Sequence, residues 1–565
     1  MMNKPRTEFH ALLAAAIIVL AGLAAYSDSF HGPFVFDDIR SILQNPTIRH
    51  LNPPWDALQP PGNGATVEGR PIVNLSLAVN YAISGLDPWS YHAVNLAIHL
   101  LAGLALFGLV RRTLMLRGQV AKVDLLLGGQ LLQPDPVIFA FAVALLWTLH
   151  PLQTESVTFV SDRAESLMGL FYFLTLFCFA KGVRLYPVPS SAEGTGYSLT
   201  PSLWLSLSVG SCLLGMATKE VMATAPLMVF LYDRTFVAGT FREAWRRRRT
   251  YYLALASTWI LLGALVVAMG GNRGNAAGFD TIVSPISYAL TQFDAVFRYL
   301  ALALWPHPLV FDYGSDVVAG PGQVAPQAAL LLLLLAGTVV ALRLRPVLGF
   351  VGAWFFLILA PSSSIVPLAS QTMAEHRMYL PLVAVVVLVV WAVWKGLRGQ
   401  VVPCTLGDRG YRVRPDPFLI IVAALAAGLG FTTFHRNQVF KTQVSLWGDT
   451  ALKRPESARA QYNFGVALDE AGRRTEARDQ YLKAVQLDPF GGDAHFRLAD
   501  DLAGEGRWNE AIAHYDEALL LNPRNPEVHR NLGRVLAAAG RARDAAVQFS
   551  EADRLEGARV PDPRR

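Results

Sequence analysis

Two acids stand side by side at Asp37-Asp38, within Phe34-Val35-Phe36-Asp37-Asp38-Ile39-Arg40, shortly after an apolar run from Ala11 to Ala25. One carboxylate of such a pair can act as general base on an acceptor hydroxyl, while its neighbour orients the acceptor or binds a cation. Solvated loop acids, or a cap ahead of a helix, read the same way. Gly69-Arg70-Pro71 follows, and Tyr91-His92, Asn95 and His99 enter the next apolar run. Polar side chains in an apolar helix are costly and tend to face a functional interior. A second group is His150-Pro151-Leu152-Gln153-Thr154-Glu155, with Arg163 and Glu165 behind it. A third is Lys219-Glu220, between two apolar runs. A fourth is Glu375-His376-Arg377-Met378-Tyr379, at the mouth of another. Arginine can grip a phosphate with two parallel N–H groups, and histidine can carry a proton or meet a phosphate. The plainer readings are an interfacial helix, a solvated turn and headgroup anchoring.

The elements that must position these groups are membrane helices. Of 565 residues, 53% are hydrophobic and only 16% charged, against about 25% charged in soluble domains. That excludes a disordered chain and points to a polytopic membrane protein with a more ordinary soluble part. Apolar runs of about 20 residues fall near 9–26, 92–110, 134–150, 166–183, 201–218, 220–236, 250–270, 326–343, 346–361, 381–396 and 417–434. The first is an uncleaved span, because Tyr26-Ser27-Asp28 makes a poor cleavage site. The stretch 286–305 carries Gln292, Asp294 and Arg298 and reads as a re-entrant or interfacial helix. With eleven crossings, Lys4/Arg6, Arg111/Arg112/Arg117, Lys181/Arg184, Arg242–Arg249, Arg343/Arg345 and Lys395/Arg398/Arg412/Arg414 all fall on one side, the cytoplasm. The four polar groups and the C-terminus then lie on the other. The net charge of +6 comes partly from Arg246–Arg249 and needs no nucleic acid to explain it. Cys178 and Cys212 lie in apolar runs and Cys404 in a polar connection, with no CxxC, so neither a disulfide scaffold nor a zinc site is expected.

Near His435 the composition changes and a 34-residue period begins: Pro455, Pro489, Pro523; Gly472, Gly506, Gly540; Ala477, Ala511, Ala545; Tyr481, Tyr515, Phe549; Ala484, Ala518, Ala552; Leu487, Leu521, Leu555. This pattern resembles the tetratricopeptide repeat (TPR). Gly and Ala are expected where two antiparallel helices approach closely, with the aromatic filling the gap and Pro ending the second helix. Leu446–Arg454 supplies the last helix of an incomplete earlier repeat, giving about three and a half repeats. The expected organisation is all-α: a membrane domain over 1–434, with about 11 spans and a re-entrant or interfacial helix, then a TPR solenoid over 435–565.

FVFDDIRSILQNP, GRPIVNLSLAVNY, YHAVNLAIHLL, HPLQTESVTFVSDRAE, ATKEVMATAPLMVFLYD, LWPHPLVFDYG and AEHRMYLPL, in this order and followed by TPRs, resemble the transmembrane-and-TPR O-mannosyltransferase family, of C-type glycosyltransferases. The resemblance covers nearly the whole chain, with fewer repeats than animal members carry. It implies inverting transfer of one sugar, most simply mannose, from a polyprenyl-phosphate carrier to Ser or Thr of an exported protein held by the repeats. Asp38 or Asp37 would be the base, with Glu155 a second acid. Arg377, then His376, Lys219 and Arg163, would meet the donor phosphate. Arg70, His92, His150, Glu220, Glu375 and Tyr379 would line the substrates. The resemblance demands no cofactor and no metal, although a divalent cation has a place if two carboxylates and His150 converge. The setting implied is a bacterial inner membrane with periplasmic repeats, or an ER membrane with lumenal ones. Against it stand a membrane scaffold, which gives no reason for acids and cations to recur at span ends, and a lipid-sugar transporter, which should show internal symmetry.

Overall fold

The computed structural model describes residues 4–62, 66–125, 134–183, 200–269, 284–363, 371–397 and 416–557. Arg184, Arg398, Cys404, Arg412 and Arg414 lie outside them, as does the side chain of Arg117. No strand occurs among the described residues. The chain divides into two compact units: residues 1–309 with 315–441, and residues 310–314 with 442–565. The change falls after Lys441, slightly later than the compositional break near His435, and five residues of an earlier connection belong with the C-terminal unit.

The larger unit contains α1 (Lys4–Ala25), α2 (Pro54–Ala57), α3 (Pro71–Ser84), α4 (Trp89–Leu125), α5 (Pro136–Thr148), α6 (Thr154–Thr158), α7 (Arg163–Gly182), α8 (Pro201–Met216), α9 (Ala225–Asp233), α10 (Phe241–Ala268), α11 (Pro285–Leu304), α12 (Ala325–Leu344), α13 (Pro346–Leu359), α14 (Leu382–Leu397) and α15 (Pro417–Val439). Seven of the described helical stretches are long and apolar enough to cross a membrane, or eight if α5 and the bent segment after it count as one span. The other three expected spans fall on α8, α13 and α14, apolar helices of 16, 14 and 16 residues. At 1.5 Å per residue they reach only about 21–24 Å, short of the roughly 30 Å hydrocarbon layer. The chain is a membrane protein on this count, and eleven full-length crossings is more than helix length alone supports. Helix α11 is not among the crossing helices. It buries Tyr288, Gln292 and Tyr299 and pairs Arg298 with Asp294 along its outer side at 2.7 Å.

Helix α7 sits in the middle of the unit, with most of its residues buried. Around it an aromatic core of Trp147, Phe173, Trp354 and Tyr379 holds the end of the bundle together. The carbonyl of Tyr379 accepts from Trp147 Nε1 at 2.9 Å, and that of Leu380 from Trp354 Nε1 at 2.8 Å. Buried tryptophan N–H groups need such partners, and here they clamp the chain entering α14. The loop before α3 is also ordered. Asn74 accepts from Asn45 Nδ2 and donates to Thr47 Oγ1 and the Ala57 carbonyl, each at 2.8 Å.

The smaller unit is a helical stack: α16 (Gln443–Lys453), α17 (Ala458–Glu470), α18 (Arg474–Leu487), α19 (Gly492–Gly504), α20 (Trp508–Leu521), α21 (Pro526–Ala538) and α22 (Ala542–Gly557). Ala477, Ala511 and Ala545 are buried between paired helices, as their type requires. The periodic glycines act differently from expectation. Gly472, Gly506 and Gly540 sit in the turns at φ +77°, +76° and +79°, the left-handed region that favours glycine after a helix end. Close approach is met instead by Gly465 and Gly533, where an added Cβ would come within 2.6 Å of Tyr481 and 2.7 Å of Phe549. The segment 310–314 packs on the first helices of this unit. Phe311 meets Trp447 edge-on with centroids 5.5 Å apart, the Tyr313 carbonyl accepts from Arg454 Nη1 at 2.7 Å, and Asp312 pairs with Arg459.

Candidate active site

The two adjacent acids do different things, and the backbone decides which does what. Phe36 takes a left-handed conformation, φ +49°, which costs a non-glycine residue about 1–3 kcal/mol and persists where the surroundings enforce it. Beyond this reversal Asp38 is fully buried and its oxygens are occupied. Oδ1 accepts from the Ser161 amide at 2.8 Å and the Ser161 hydroxyl at 2.5 Å, and Oδ2 accepts from the Val35 amide at 3.1 Å. Burial pushes its carboxyl up to about 7, against the pull of these three bonds. That value suits a base, but reach comes before pKa, and every donor around Asp38 comes from the protein. Asp37 is partly exposed and accepts from the Thr66 hydroxyl at 2.9 Å. Burial raises its pKa and the charge of Asp162 raises it further, while Thr66, Arg40 and Arg70 oppose.

Asp162 is the residue that the motif reading passed over. It precedes α7 without capping it and closes a triad with Glu155 and His376, whose ligand-type atoms all lie within 4.8 Å of one another. His376 Nδ1 is 2.9 Å from Glu155 Oε1 and 3.1 Å from Asp162 Oδ2, and the His376 amide donates to Glu155 Oε2 at 2.9 Å. Burial works against a charge on His376, but Asp162 and Glu155 outweigh it and push the imidazole up to about 10. The spacing of seven between the two acids was the available sequence signal, although the chain between them is not one helix: α6 ends at Thr158 and Phe159 is extended. Glu165, one turn along α7, binds Lys219 Nζ at 2.6 Å. Arg70 lies 3.7 Å from Glu220 and donates to the Thr66 carbonyl at 3.0 Å. Arg70 and Lys219 both act electrostatically on Asp162. Asp37, Arg70, Glu155, Lys219, Glu220 and His376 thus gather from four separate connections at one end of the helices.

Other expected site residues are placed elsewhere. Arg163 is completely buried, and its guanidinium donates to Asn95 Oδ1, Asn80 Oδ1, Ser76 and the Tyr91 carbonyl. It ties α3, α4 and α7 together. Arg377 donates to the carbonyls of Gln371 at 2.6 Å, Thr372 at 3.0 Å and Ser362 at 3.3 Å. His92 bonds the Gly32 carbonyl at 2.9 Å. His150 bonds the Ala303 carbonyl at 3.1 Å and accepts from the Leu152 amide, so it does not join the carboxylates. Tyr379 is buried against Gly169, its hydroxyl 3.0 Å from His99 Nδ1. Glu375 is buried 4.0 Å from Arg436. Sequence cannot show that a cation already has carbonyl partners, which is why Arg163 and Arg377 read as free donors.

Comparison with known proteins adds the relationship. Family models for the TPR repeat and the tetratricopeptide repeat match residues 499–540 and 445–492. A protein O-mannosyl-transferase of Caenorhabditis elegans is 22% identical over 84% of this chain and 62% of its own length. Human protein O-mannosyl-transferase TMTC2 is 28% identical over 54% of this chain and 36% of its own, and human TMTC1 23% over 84% and 55%. The chain is similar to the TMTC protein O-mannosyl-transferases. It spans less than two thirds of the length of these relatives. The TMTC-like order of motifs seen in the sequence extends over both units. Among solved structures, one of MamA is 23% identical over 24% of this chain and 78% of its own, with a TM-score of 0.19, too low to bear on function.

Proposed function

We propose that this TMTC-like chain is a membrane glycosyltransferase that moves one sugar, mannose, from a polyprenyl-phosphate carrier to a Ser or Thr hydroxyl of an exported protein. The observation that carries the reading is the gathering of Asp37, the Glu155–Asp162–His376 triad, Lys219 and Arg70 from connections at one end of the helices. A lipid donor is presented at that depth, and no nucleotide-binding loop is needed there. Asp37 takes the hydroxyl proton as the acceptor oxygen attacks the anomeric carbon. The bond from that carbon to the phosphate oxygen breaks, its electron pair leaves with the lipid phosphate, and the configuration inverts. Lys219 and Arg70 stabilise the charge that builds on the departing phosphate, where fixed cations act most strongly. Asp38 holds the Ser161 amide and hydroxyl, and so fixes the loop against the start of α7. The setting is a bacterial inner membrane with this end of the bundle and the TPR stack in the periplasm, the stack holding the acceptor.

The experiment is transfer of labelled mannose from polyprenyl-phosphate mannose to protein in membranes. Asp37→Asn should lower the rate by ~10²–10⁴-fold, the usual cost of losing a general base, with the chain still inserted and monodisperse. Near-normal transfer by that variant would remove Asp37 from the role. No labelled protein with the unaltered chain, under any lipid donor, would remove the transferase reading.

A further inference from the structure

Two carboxylates crowd a single nitrogen in this protein. His376 Nδ1 lies 2.9 Å from Glu155 Oε1 and 3.1 Å from Asp162 Oδ2. A ring nitrogen carries at most one hydrogen, so a proton there serves one acid and leaves the other. Glu155 takes the bond. Asp162 Oδ2 is buried, within 3.1 Å of the nitrogen, and yet receives no hydrogen bond. Oδ2 keeps the ion pair with His376 but has no hydrogen of its own, and burying a carboxylate oxygen in that state is costly. The other carboxylate is already aimed: Glu155 Oε2 is fixed by the His376 amide at 2.9 Å, which turns Oε1 inward.

We propose that Glu155, Asp162 and His376 bind a divalent transition-metal ion of the Mn²⁺ type, with one carboxylate oxygen, a second and an imidazole nitrogen as its three protein ligands. Spacing and donor type both support this. Ligands about 2.1 Å from a six-coordinate ion stand roughly 3.0 Å apart at right angles, close to the 2.9 and 3.1 Å from His376 to the two acids, whose own ligand oxygens lie within 4.8 Å of each other. An imidazole with two carboxylates suits a transition ion better than calcium or magnesium, which favour oxygen alone. Three protein ligands leave positions for water and a substrate oxygen. The side chain of His376 is 14% exposed, so the triad is not sealed. Binding rests on this geometry alone. The ion's use, holding an oxygen of the donor phosphate beside Lys219, rests on the transferase reading above.

The test is Mn²⁺ titration of the full chain, purified in detergent and stripped with chelator, read by the loss of the free-ion electron paramagnetic resonance signal. One ion per chain is expected. Asp162→Asn removes a ligand without removing a helix cap and should weaken binding about tenfold or more, at least the usual cost of disturbing a metal's surroundings. His376→Gln should do the same, with thermal unfolding confirming that each variant is folded. If the folded, unaltered chain takes up neither Mn²⁺ nor Zn²⁺ at millimolar concentration, or if Asp162→Asn binds as tightly as the unaltered chain, the proposal is overturned. Undiminished mannose transfer after chelation would overturn the ion's role while leaving the transferase reading standing. One Mn²⁺ bound with no transfer from any donor would do the reverse.

Discussion

Asp38 and Asp37 show how much a neighbouring residue changes a carboxyl's duty. A carboxyl whose pKa is higher folded than unfolded holds its proton more tightly in the folded state. For Asp38, raised from 3.8 to about 7, the stabilisation is therefore full below pH ~4 and lost as pH rises toward 7, on the order of 4 kcal/mol at most. Asn is neutral throughout and mimics the protonated acid. The unfolding midpoint of Asp38→Asn relative to the unaltered chain should therefore rise between pH 5 and pH 8. A flat difference would mean that Asp38 is already ionised at pH 5. The cations separate in the same way. Arg377→Lys should lower the unfolding temperature, because lysine cannot reach the three carbonyls that the planar fork holds, and it should leave the KM for the lipid donor unchanged. Lys219→Met should raise that KM several-fold, and it should also lower the unfolding temperature, because it leaves the buried Glu165 carboxylate without its cation. The reverse pattern in KM would restore Arg377 as the phosphate ligand. Asp37, Asp38, Glu155, Lys219 and His376 were singled out in the sequence as residues, and Asp162 was not. Their division of labour was not legible there, because it depends on the left-handed Phe36, on Ser161 arriving from a distant segment, and on backbone carbonyls that no side-chain pattern records.

At the level of elements, the repeats were the most legible part. Proline, alanine and the aromatic keep one register through three copies, and each does a job that its type dictates. The glycines were read with the wrong cause: the turn positions at Gly472, Gly506 and Gly540 need backbone freedom, not space. Gly506→Ala should cost the stack about 1 kcal/mol or more, since Cβ is unwelcome at positive φ, measurable as a lower denaturation midpoint. Gly540→Ala should match it, although an added Cβ there meets nothing within 4 Å. A silent Gly540→Ala would show that the turn relaxes. The membrane helices were legible by composition and less so by length. The apolar runs at 201–218, 346–361 and 381–396 are themselves short, and the helices on them, α8, α13 and α14, have 16, 14 and 16 residues, α8 and α13 starting at Pro201 and Pro346. Helix α11 differs for a visible reason: Asp294 and Arg298 place charge along its outer side, and Gln292 is buried.

At the scale of the whole chain, the five residues 310–314 count for more than their number. Phe311, Asp312 and Tyr313 are fastened to Trp447, Arg459 and Arg454, so this short piece and the TPR stack must occupy the same compartment. A chain that leaves a compartment and returns to it crosses the membrane an even number of times. Whatever the true number of spans, the crossings between Gly314 and Thr442 have even parity. Four apolar helices lie in that interval, α12, α13, α14 and α15, and they satisfy it together. The two shorter ones, α13 and α14, must therefore both cross or both fail to cross. Reporters inserted at residue 316 and fused after Arg565 should give the same sidedness, and opposite results would break the clasp. This parity owes nothing to the placement of lysine and arginine, so it fixes the relative sidedness of loop and stack without the basic clusters.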